Sequence, residues 1–151
     1  MGLAVNHPVA GLTLPDLLDK LDIPDAEAAD PDLVLLGGPV ERERGFVLHT
    51  DDYPSSDSSL PVAPGLSLTA TRDVLAAMAA HRNAPRRALV ALGYAGWAAG
   101  QLEDEIRNNV WLTCPPDEDL LFGADHEGKW ARALAKIGID PKFLSAEAGR
   151  A

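Results

Sequence analysis

The sequence predicts a single α+β domain, and three observations support this prediction. The chain has 151 residues, which is typical of one domain, and 46% of them are hydrophobic, enough for a sizeable core. Short apolar runs typical of strands lie between segments with helical periodicity. Because strands and helices are mixed rather than strictly alternating, an α+β fold is favoured over a regular doubly wound sheet.

The N-terminal part of the chain predicts one strand and one helix. Residues 2–8 look like a strand that ends at Pro8. The helix is indicated by an apolar face with the spacing i, i+3, i+4 and i+7, formed by Leu14, Leu17, Leu18 and Leu21. Thr13 is a candidate N-cap for this helix, and Pro15 suits its first turn.

Two strands are predicted between residues 33 and 50. Residues 33–36 form a continuous apolar run, which the Gly37-Gly38-Pro39 turn ends. Residues 41–44 are predicted to be a charged connection that leads to a strand over 45–50. Two strands joined by about eight residues favour an antiparallel pair. The following residues, 51–61, are predicted to be a polar loop.

One strand and two helices are predicted in the rest of the chain after residue 61, apart from residues 87–114. Residues 66–70 alternate as a half-buried strand does, and Thr71 is a candidate cap for the helix that follows. After a short acidic helical turn over 117–122, a closing helix carries Trp130, Ala133, Leu134 and Ile137 on one face. Asp125 is its candidate N-cap and Gly138 its terminator.

Residues 87–114 predict a strand–helix–strand unit. Residues 88–92 are an apolar run typical of a strand covered on both faces, and Gly93 and Gly96 then allow a tight turn. One helical face is formed by Ala99, Leu102 and Ile106. Asn108-Asn109 is predicted to end this helix, because asparagine tolerates the left-handed conformation that helix ends often need. Residues 110–114 are rich in β-forming side chains and are predicted to be a strand. Such a unit usually makes parallel neighbours with a right-handed crossover.

The charge of the chain argues against direct DNA binding. Its formal net charge is −10, whereas affinity for nucleic acid depends largely on cations that neutralise phosphates. The nearest basic cluster, Arg82, Arg86 and Arg87, lies at a predicted helix end, where the helix dipole explains it equally well. We therefore expect no direct nucleic-acid partner.

The cysteine content and hydropathy favour a cytoplasmic protein. Cys114 is the one cysteine, so the sequence offers neither an internal disulfide nor a thiolate metal cage. No window has the length and apolarity of a membrane span, and the first residues do not read as a signal peptide. We expect a protein of the reducing cytoplasm without a membrane partner.

Candidate catalytic residues are few and do not form a recognisable set. His49, followed by Asp51 and Asp52, could bind a metal or act as a general base, but a half-exposed histidine at a strand end is the more common situation. Glu103 and Glu105 lie two apart on a helix and therefore do not face each other as paired acids. Glu103 is instead placed to pair with Arg107, four residues later.

The aromatic residues allow two interpretations. Tyr94, Trp97 and Trp111 could line a ligand pocket, although core packing is the more common role at such positions. Cys114 is predicted to be a buried strand cysteine rather than a reactive thiol. With no catalytic set in view, we expect no enzymatic activity, no cofactor and no metal.

Several segments together resemble the AlgH/YqgE family of bacterial proteins. They are GLAVNHP at 2–8, LLGGPVERERGFVLHT at 35–50, DSSLPVAPGLSLTATRDVL at 57–75 and RALVALGYAGWAAGQLEDEIRNNVWLTC at 87–114. WARALAKIGIDPKFLS at 130–145 is similar to the closing helix of that family. The segments follow the family's order along nearly the whole chain.

The resemblance implies a fold and a label, but no catalytic residue. It implies an α+β domain with a bent, partly barrel-like sheet flanked by helices, and the family has been labelled as transcriptional regulators. It also implies a single AlgH-like domain over residues 1–151 that lacks the family's N-terminal strands. Missing strands would expose sheet edges, which invite association, so a homodimer is one expected consequence.

Three functions are compatible with the sequence. The leading hypothesis is a non-enzymatic regulatory or interaction domain that acts through an unidentified protein partner. The alternative is a small-ligand-binding or enzymatic domain, with a pocket near strand ends and turns, where sites often gather. The candidate ligand or partner surface comprises Gly37, Gly38, His49, Tyr94, Trp97 and Glu103. A direct DNA-binding regulator, as the family label suggests, ranks last because of the acidic charge.

Overall fold

The computed structural model describes residues 1–54 and 56–144, and within them it contains a six-stranded mixed sheet with five α-helices. The strands are β1 (Pro8–Thr13), β2 (Leu33–Leu36), β3 (Val40–Thr50), β4 (Ser59–Ala63), β5 (Leu66–Thr69) and β6 (Ala88–Tyr94). The helices are α1 (Leu14–Lys20), α2 (Arg72–Ala79), α3 (Gln101–Arg107), α4 (Glu118–Phe122) and α5 (Lys129–Lys136). The predicted α+β class is confirmed.

The sheet has the strand order β1-β2-β6-β3-β5-β4, with β6 near its centre. β2 and β6 are parallel, with Leu35 opposite Ala91, and the other neighbouring strands are antiparallel. The sheet is open, with β1 and β4 as its edges. Both edges contain a proline, Pro8 in β1 and Pro61 in β4, which cannot donate to a strand added from outside.

The predicted antiparallel pairing of β2 with β3 is wrong, because β6 lies between them. The chain passes from β2 to β3 over the end of β6 through Gly37, Gly38 and Pro39. A Cβ on Gly38 would lie 2.1 Å from the carbonyl carbon of Tyr94, and one on Gly37 would lie 2.3 Å from the carbonyl oxygen of Gly93. The backbones therefore touch at this crossing, and side chains at these positions would prevent it.

The predicted strand over residues 110–114 is also wrong, since these residues form no strand. β6 already has β2 on one side and β3 on the other, so no neighbouring position is open to a parallel strand after α3. The strand–helix–strand unit therefore ends at the helix. The cysteine in this segment, Cys114, is half-buried and lies outside the sheet, contrary to the prediction of a buried strand cysteine.

The strand predicted over residues 2–8 is wrong as well, because β1 starts at Pro8, where the strand was predicted to end. A strand can begin with proline because its first residue need not donate to the ladder. Gly2 forms an isolated bridge with Ala95, and Leu3 and Val5 pack on the sheet face around Leu35. This segment is apolar because it covers the sheet, not because it belongs to it.

Other differences concern the strand ends. The charged residues 41–44 belong to β3, where they are exposed and lie within the register irregularity between Val40 and Gly45. β4 occupies the end of the predicted loop over residues 51–61; its alternation is hidden because an edge strand is mostly exposed. The predicted strands at 33–36, 66–70 and 88–92 are confirmed within a residue or two.

The helices agree closely with their predicted signals. Thr13 caps α1 in a reciprocal arrangement, because its hydroxyl accepts from the Asp16 backbone N–H while the Asp16 carboxylate accepts from the Thr13 backbone. Gly138, with φ of 71°, follows α5 as predicted. The prediction of Asp125 as the N-cap of α5 is wrong, since Gly128 is the N-cap; Asp125 instead accepts from the backbone N–H of Gly128 at 3.0 Å. Thr71 precedes α2, but its side chain makes no capping bond there.

The sheet is covered on both faces. On one face α1 and α2 pack against a core that contains Leu18, Val34, Val47, Val74 and Val90. On the other face Leu35, Leu89 and Ala91 lie under the N-terminal segment and Phe122 of α4. Lys129 connects the two segments that cover this second face. Its buried ammonium donates to the carbonyl of Val5 in the N-terminal segment at 2.9 Å and to that of Leu121 in α4 at 2.7 Å.

The glycine crossing leads to a stability prediction. We expect Gly38→Ala to lower the free energy of unfolding by about 2 kcal/mol or more, because the new methyl group would overlap the β6 backbone. Gly45→Ala on β3 is the control, since a Cβ there would meet nothing within 4 Å. It should change stability by less than about 0.5 kcal/mol. Urea denaturation measures both variants, and equal midpoints would contradict the crossing.

Lys129 leads to a prediction of pH-dependent stability. Burial, followed by repulsion from Arg132, lowers the pKa of Lys129 from 10.5 to about 8. Between these values the unfolded chain holds a proton that the folded protein has lost, so the folded state gains stability as the pH rises from about 8 to about 10.5. The gain should reach at most about 3 kcal/mol.

Urea denaturation between pH 7 and 10.5 measures this gain. Subtracting the free energy of unfolding of Lys129→Met from that of the parent protein at each pH removes the contribution of all other titrating groups. The remaining difference should rise with pH. Lys142→Met removes an exposed lysine and is the control; its curve should run parallel to that of the parent protein. A flat difference between the parent and Lys129→Met would show that Lys129 keeps its ordinary pKa.

Candidate functional site: a tryptophan pair held by one carboxylate

The structure places the predicted site residues at both ends of β6. Gly37 and Gly38 lie against Tyr94 at its C-terminal end. His49 pairs with Ala88 at its start, whereas Val40 pairs with Tyr94. Six residue steps separate these ends, or about 20 Å at the rise of a strand. His49 therefore does not share a pocket with the glycine crossing.

His49 is buried and fully hydrogen-bonded, which corrects the prediction of a half-exposed residue. Its accessible surface is 0%. Nδ1 lies 2.7 Å from the carbonyl of Thr50 and must carry the proton, because a carbonyl can only accept; Nε2 therefore accepts from the Thr69 hydroxyl at 2.9 Å. Asp52 instead accepts from the Thr50 hydroxyl at 2.5 Å. The imidazole is a structural element between β3 and β5.

The glycine crossing and Tyr94 are packed rather than hollow. The backbone of Gly38 lies against that of Tyr94, and the Tyr94 ring meets Phe46 edge-on with centroids 5.7 Å apart. A Cβ on Gly2 would lie 3.0 Å from the Trp97 ring, so the N-terminal segment also packs there. These residues build a rigid support for the chain that follows β6.

Trp97 and Trp111 form a pair held by Glu105. Their rings meet edge-to-face with centroids 5.9 Å apart. The Glu105 carboxylate accepts from the Trp97 indole at 3.1 Å, from the Trp111 indole at 2.6 Å and from the Gln101 amide at 2.9 Å. The bond from Trp111, followed by those from Gln101 and Trp97, holds the pKa of Glu105 below its ordinary value. One carboxylate thus fixes both indoles.

Glu105, rather than Glu103, is therefore the important acid on α3. The predicted pair of Glu103 with Arg107 is wrong, since Arg107 pairs with Asp104 at 2.6 Å. Glu103 is exposed in the first turn of the helix. The sequence does contain a signal for Glu105, because Trp97, Gln101 and Glu105 recur at intervals of four. The spacing does not include Trp111, however, and only the folded structure shows that its indole contacts Glu105.

The end of α3 directs the chain back toward the tryptophan pair. Asn109 has φ of 58°, as predicted for a helix end. The N–H of Asn109 donates to Ile106 at 3.1 Å and that of Val110 donates to Glu105 at 2.9 Å, the two bonds of a Schellman motif. This turn explains why residues 110–112 follow the helix instead of entering the sheet.

Trp111 of the pair and three neighbouring apolar side chains are exposed, and we call these four residues the tryptophan surface. They are Ile106, Val110, Trp111 and Leu112, with 39%, 41%, 36% and 48% of their surface accessible. Between residues 95 and 114 the chain carries three acids and one base. The arrangement therefore combines apolar groups, a rigid indole and negative charge, which suits binding rather than acid–base catalysis.

The described part of the chain contains neither a metal-binding cluster nor a membrane-spanning helix. No three histidine, cysteine, aspartate or glutamate side chains within residues 1–54 and 56–144 gather closely enough to hold a metal ion. Among the same residues, no helix has the length and apolarity needed to cross a membrane.

Comparison with known proteins matches nearly the whole chain. Residues 1–142 match a family model described as AlgH-like (DUF179). The chain is 65% identical to a UPF0301 protein of Caulobacter vibrioides and 52% identical to one of Rhodopseudomonas palustris. All of this chain is covered in both cases, together with 77% and 74% of those proteins.

Two solved structures are also similar. The solution structure of the AlgH protein from Pseudomonas aeruginosa is 40% identical, with a TM-score of 0.74, and the match covers 100% of this chain and 79% of that one. A crystal structure of a Corynebacterium diphtheriae protein has a TM-score of 0.63 at 18% identity, over 86% of this chain and 68% of that one, and shows a shared fold alone.

The role of Glu105 can be tested by tryptophan fluorescence. We expect Glu105→Gln to increase acrylamide quenching of the indoles, because both indoles donate to one oxygen of Glu105 and a neutral amide oxygen accepts more weakly than a carboxylate oxygen. The new amide NH2 group would also face the donating amide of Gln101. Glu103→Gln removes the same charge from the same helix and should leave quenching unchanged. Trp130, which is 53% exposed, contributes a constant background in both variants. Equal quenching in the two variants would contradict the role of Glu105.

Acidification provides a second readout of the same contact. Because the pKa of Glu105 is lowered, the indole signal of the parent protein should persist below pH 4.5 and change only at more acidic pH. In Glu105→Gln this acid transition should be missing, since the amide does not titrate. A transition centred at or above pH 4.5 would show that the carboxylate is not stabilised by the indoles.

Proposed function

This chain belongs to the AlgH-like family, and we propose that it is a non-enzymatic regulatory domain that binds a protein partner through the tryptophan surface. The proposed partner segment combines an apolar anchor with lysine or arginine. The observation that carries the proposal is Trp111, which is exposed on the surface although its indole is already fixed by Glu105. Tryptophan is enriched among residues that dominate binding energy.

The rigidity of the surface supports a binding role. An exposed side chain that is already ordered loses less conformational entropy when a partner binds. The Trp111 ring is held both by the Glu105 carboxylate and by the edge of Trp97. Val110 and Leu112 flank it on a segment that leaves the helix through the Schellman turn.

The charge of the chain supports a basic partner. The net charge is −10, and Glu103 lies exposed on the helix that carries Glu105. Complementary charge speeds association and suppresses wrong partners. A nucleic acid would be repelled for the same reason. A second copy of this chain would also carry −10, and the prolines in both edge strands disfavour pairing through the sheet.

The proposal includes a cytoplasmic setting, as inferred from the single cysteine and the lack of a disulfide framework. It also includes regulation by contact rather than by chemistry. His49, the strongest catalytic candidate in the sequence, has both ring nitrogens engaged by Thr50 and Thr69. An imidazole held in this way has no free nitrogen for a substrate.

Site-specific photocrosslinking in cells tests the proposal. With a photoreactive amino acid at Leu112, we expect a covalent adduct with a partner protein, in which the crosslinked segment contains an apolar residue next to lysine or arginine. The same amino acid at Leu60 on β4, which is 62% exposed, is the matched control and should give no such adduct. Trp111→Ala should abolish the adduct at position 112.

Binding of the identified segment as a synthetic peptide completes the test. Its affinity should fall as salt increases, because charge attraction is screened. Glu103→Lys should slow association while leaving the circular dichroism spectrum unchanged. An adduct with an acidic segment, with nucleic acid or with a second copy of this chain would contradict the proposal, as would equal crosslinking from positions 112 and 60.

A further inference from the structure

The segment that carries Trp111 and Leu112 has a run of backbone groups without partners. The last bonded group before this run is the N–H of Val110, which donates to Glu105 at 2.9 Å, and the first one after it is the carbonyl of Asp117, which accepts from Leu121 at 3.0 Å. Between them, within the described part of the chain, no N–H of residues 111–114 donates and no carbonyl of residues 110–116 accepts. Since backbone N–H and C=O groups bond strongly, this run can bond to another chain.

The conformation of the run suits pairing with a strand. The chain bends at residues 110 and 111, and over residues 112–117 it shows no helix, turn or bend. None of these residues has a positive φ. The two prolines that follow Cys114 favour an extended backbone at the residue before each of them. Residues 112–114 therefore have a backbone that a neighbouring strand could join.

The side chains of this segment also suit a strand. Valine, tryptophan and threonine are enriched in strands, and they occur here at 110, 111 and 113. The sheet has no place for them, because β6 has β2 and β3 as its neighbours. Residues 108–113 are all exposed, so another chain can reach them. Strand-forming residues are thus held at the surface without a neighbouring strand.

Both ends of the run are fixed. At one end the Trp111 indole donates to Glu105 at 2.6 Å. At the other end the Asp117 carboxylate accepts from the N–H of Leu120 at 2.6 Å and pairs with Lys136. A segment that is tethered on both sides loses less conformational entropy when a partner joins it.

We propose that the partner docks as an extended strand beside residues 112–114 and forms main-chain hydrogen bonds with them; this inference rests on the proposed function and specifies how its partner binds. In strand addition the main-chain bonds contribute affinity, and alternate side chains give specificity. Apolar side chains at alternate positions of the partner contact the tryptophan surface. Lysine or arginine between them suits a stretch, residues 95–114, that carries three acids and one base.

Two matched peptides test the docking mode. The first is a capped peptide of seven residues in which lysine and valine alternate. The second has the same sequence with every backbone nitrogen methylated, so that it keeps the side chains and charges but has no N–H donor. We expect the first peptide to shift the amide NMR signals of residues 111–114 on titration. The methylated peptide should bind at least about tenfold more weakly, because it cannot donate to the free carbonyls.

Proline variants test the same bonds from the side of the protein. Successive N–H groups of a strand point to opposite edges, so a partner strand can use that of Thr113 or that of Cys114 but not both. Either Thr113→Pro or Cys114→Pro should therefore weaken binding of the first peptide by about tenfold, while the other has little effect. Thr113→Ala and Cys114→Ala keep the N–H groups and are the controls for the lost side chains.

Several outcomes would overturn strand addition. They are equal binding of the two peptides, equal weakening by the two proline variants, no weakening by either, shifts that map to β1 or β4, and no shifts at a peptide concentration of about 10 mM, which is beyond the range expected for a weak complex. Signals of residues 111–114 that move as the free protein is concentrated would assign the segment to a second copy of this chain and would also contradict the inference.

The crosslinking experiment at Leu112 separates this inference from the proposed function. An adduct there reports a partner whether that partner docks as a strand or through side chains alone. An adduct that Trp111→Ala abolishes, together with equal binding of the two peptides, would refute strand addition and leave the proposed function standing. Absence of the adduct would refute the proposed function, whatever the peptides show.

Discussion

The close contact of two backbones at the end of β6 is the constraint on which this architecture depends. Gly37 and Gly38 carry the chain from β2 to β3 across Gly93 and Tyr94, at separations that leave no room for a Cβ. This crossing allows β6 to be inserted between two strands that are adjacent in sequence. A longer connection with side chains would have to travel around the end of the sheet. The central position of β6 therefore depends on glycines.

The organisation of the C-terminal half follows from that position. With both neighbours of β6 occupied, residues 110–112 have no place next to it, and the Schellman turn returns them to α3. Their apolar side chains, which suggest a strand, lie at the surface instead. Glu105 then fixes the two indoles. The tryptophan surface is thus a consequence of a filled sheet.

Charges are distributed unevenly around this framework. Lys129 is buried and binds the carbonyls of Val5 and Leu121, so that a cation holds the cover over one sheet face. Arg86 and Arg87 hold α4 through Glu118 and Asp119. These three cations therefore have structural partners.

Local sequence determined the elements whose signals lie within a few residues of one another. The capping of α1, the apolar run of β2 and the left-handed Asn109 each depend on adjacent side chains, so the sequence predicts them correctly. The family resemblance likewise predicted the fold class. Only the tertiary structure decided that β6 separates β2 from β3, that His49 is buried and that Trp111 returns to Glu105. These features depend on which segments lie next to each other in the folded protein. Such contacts join residues that are far apart in the chain, and the hydrophobic periodicity of one segment does not identify the segment that it will contact.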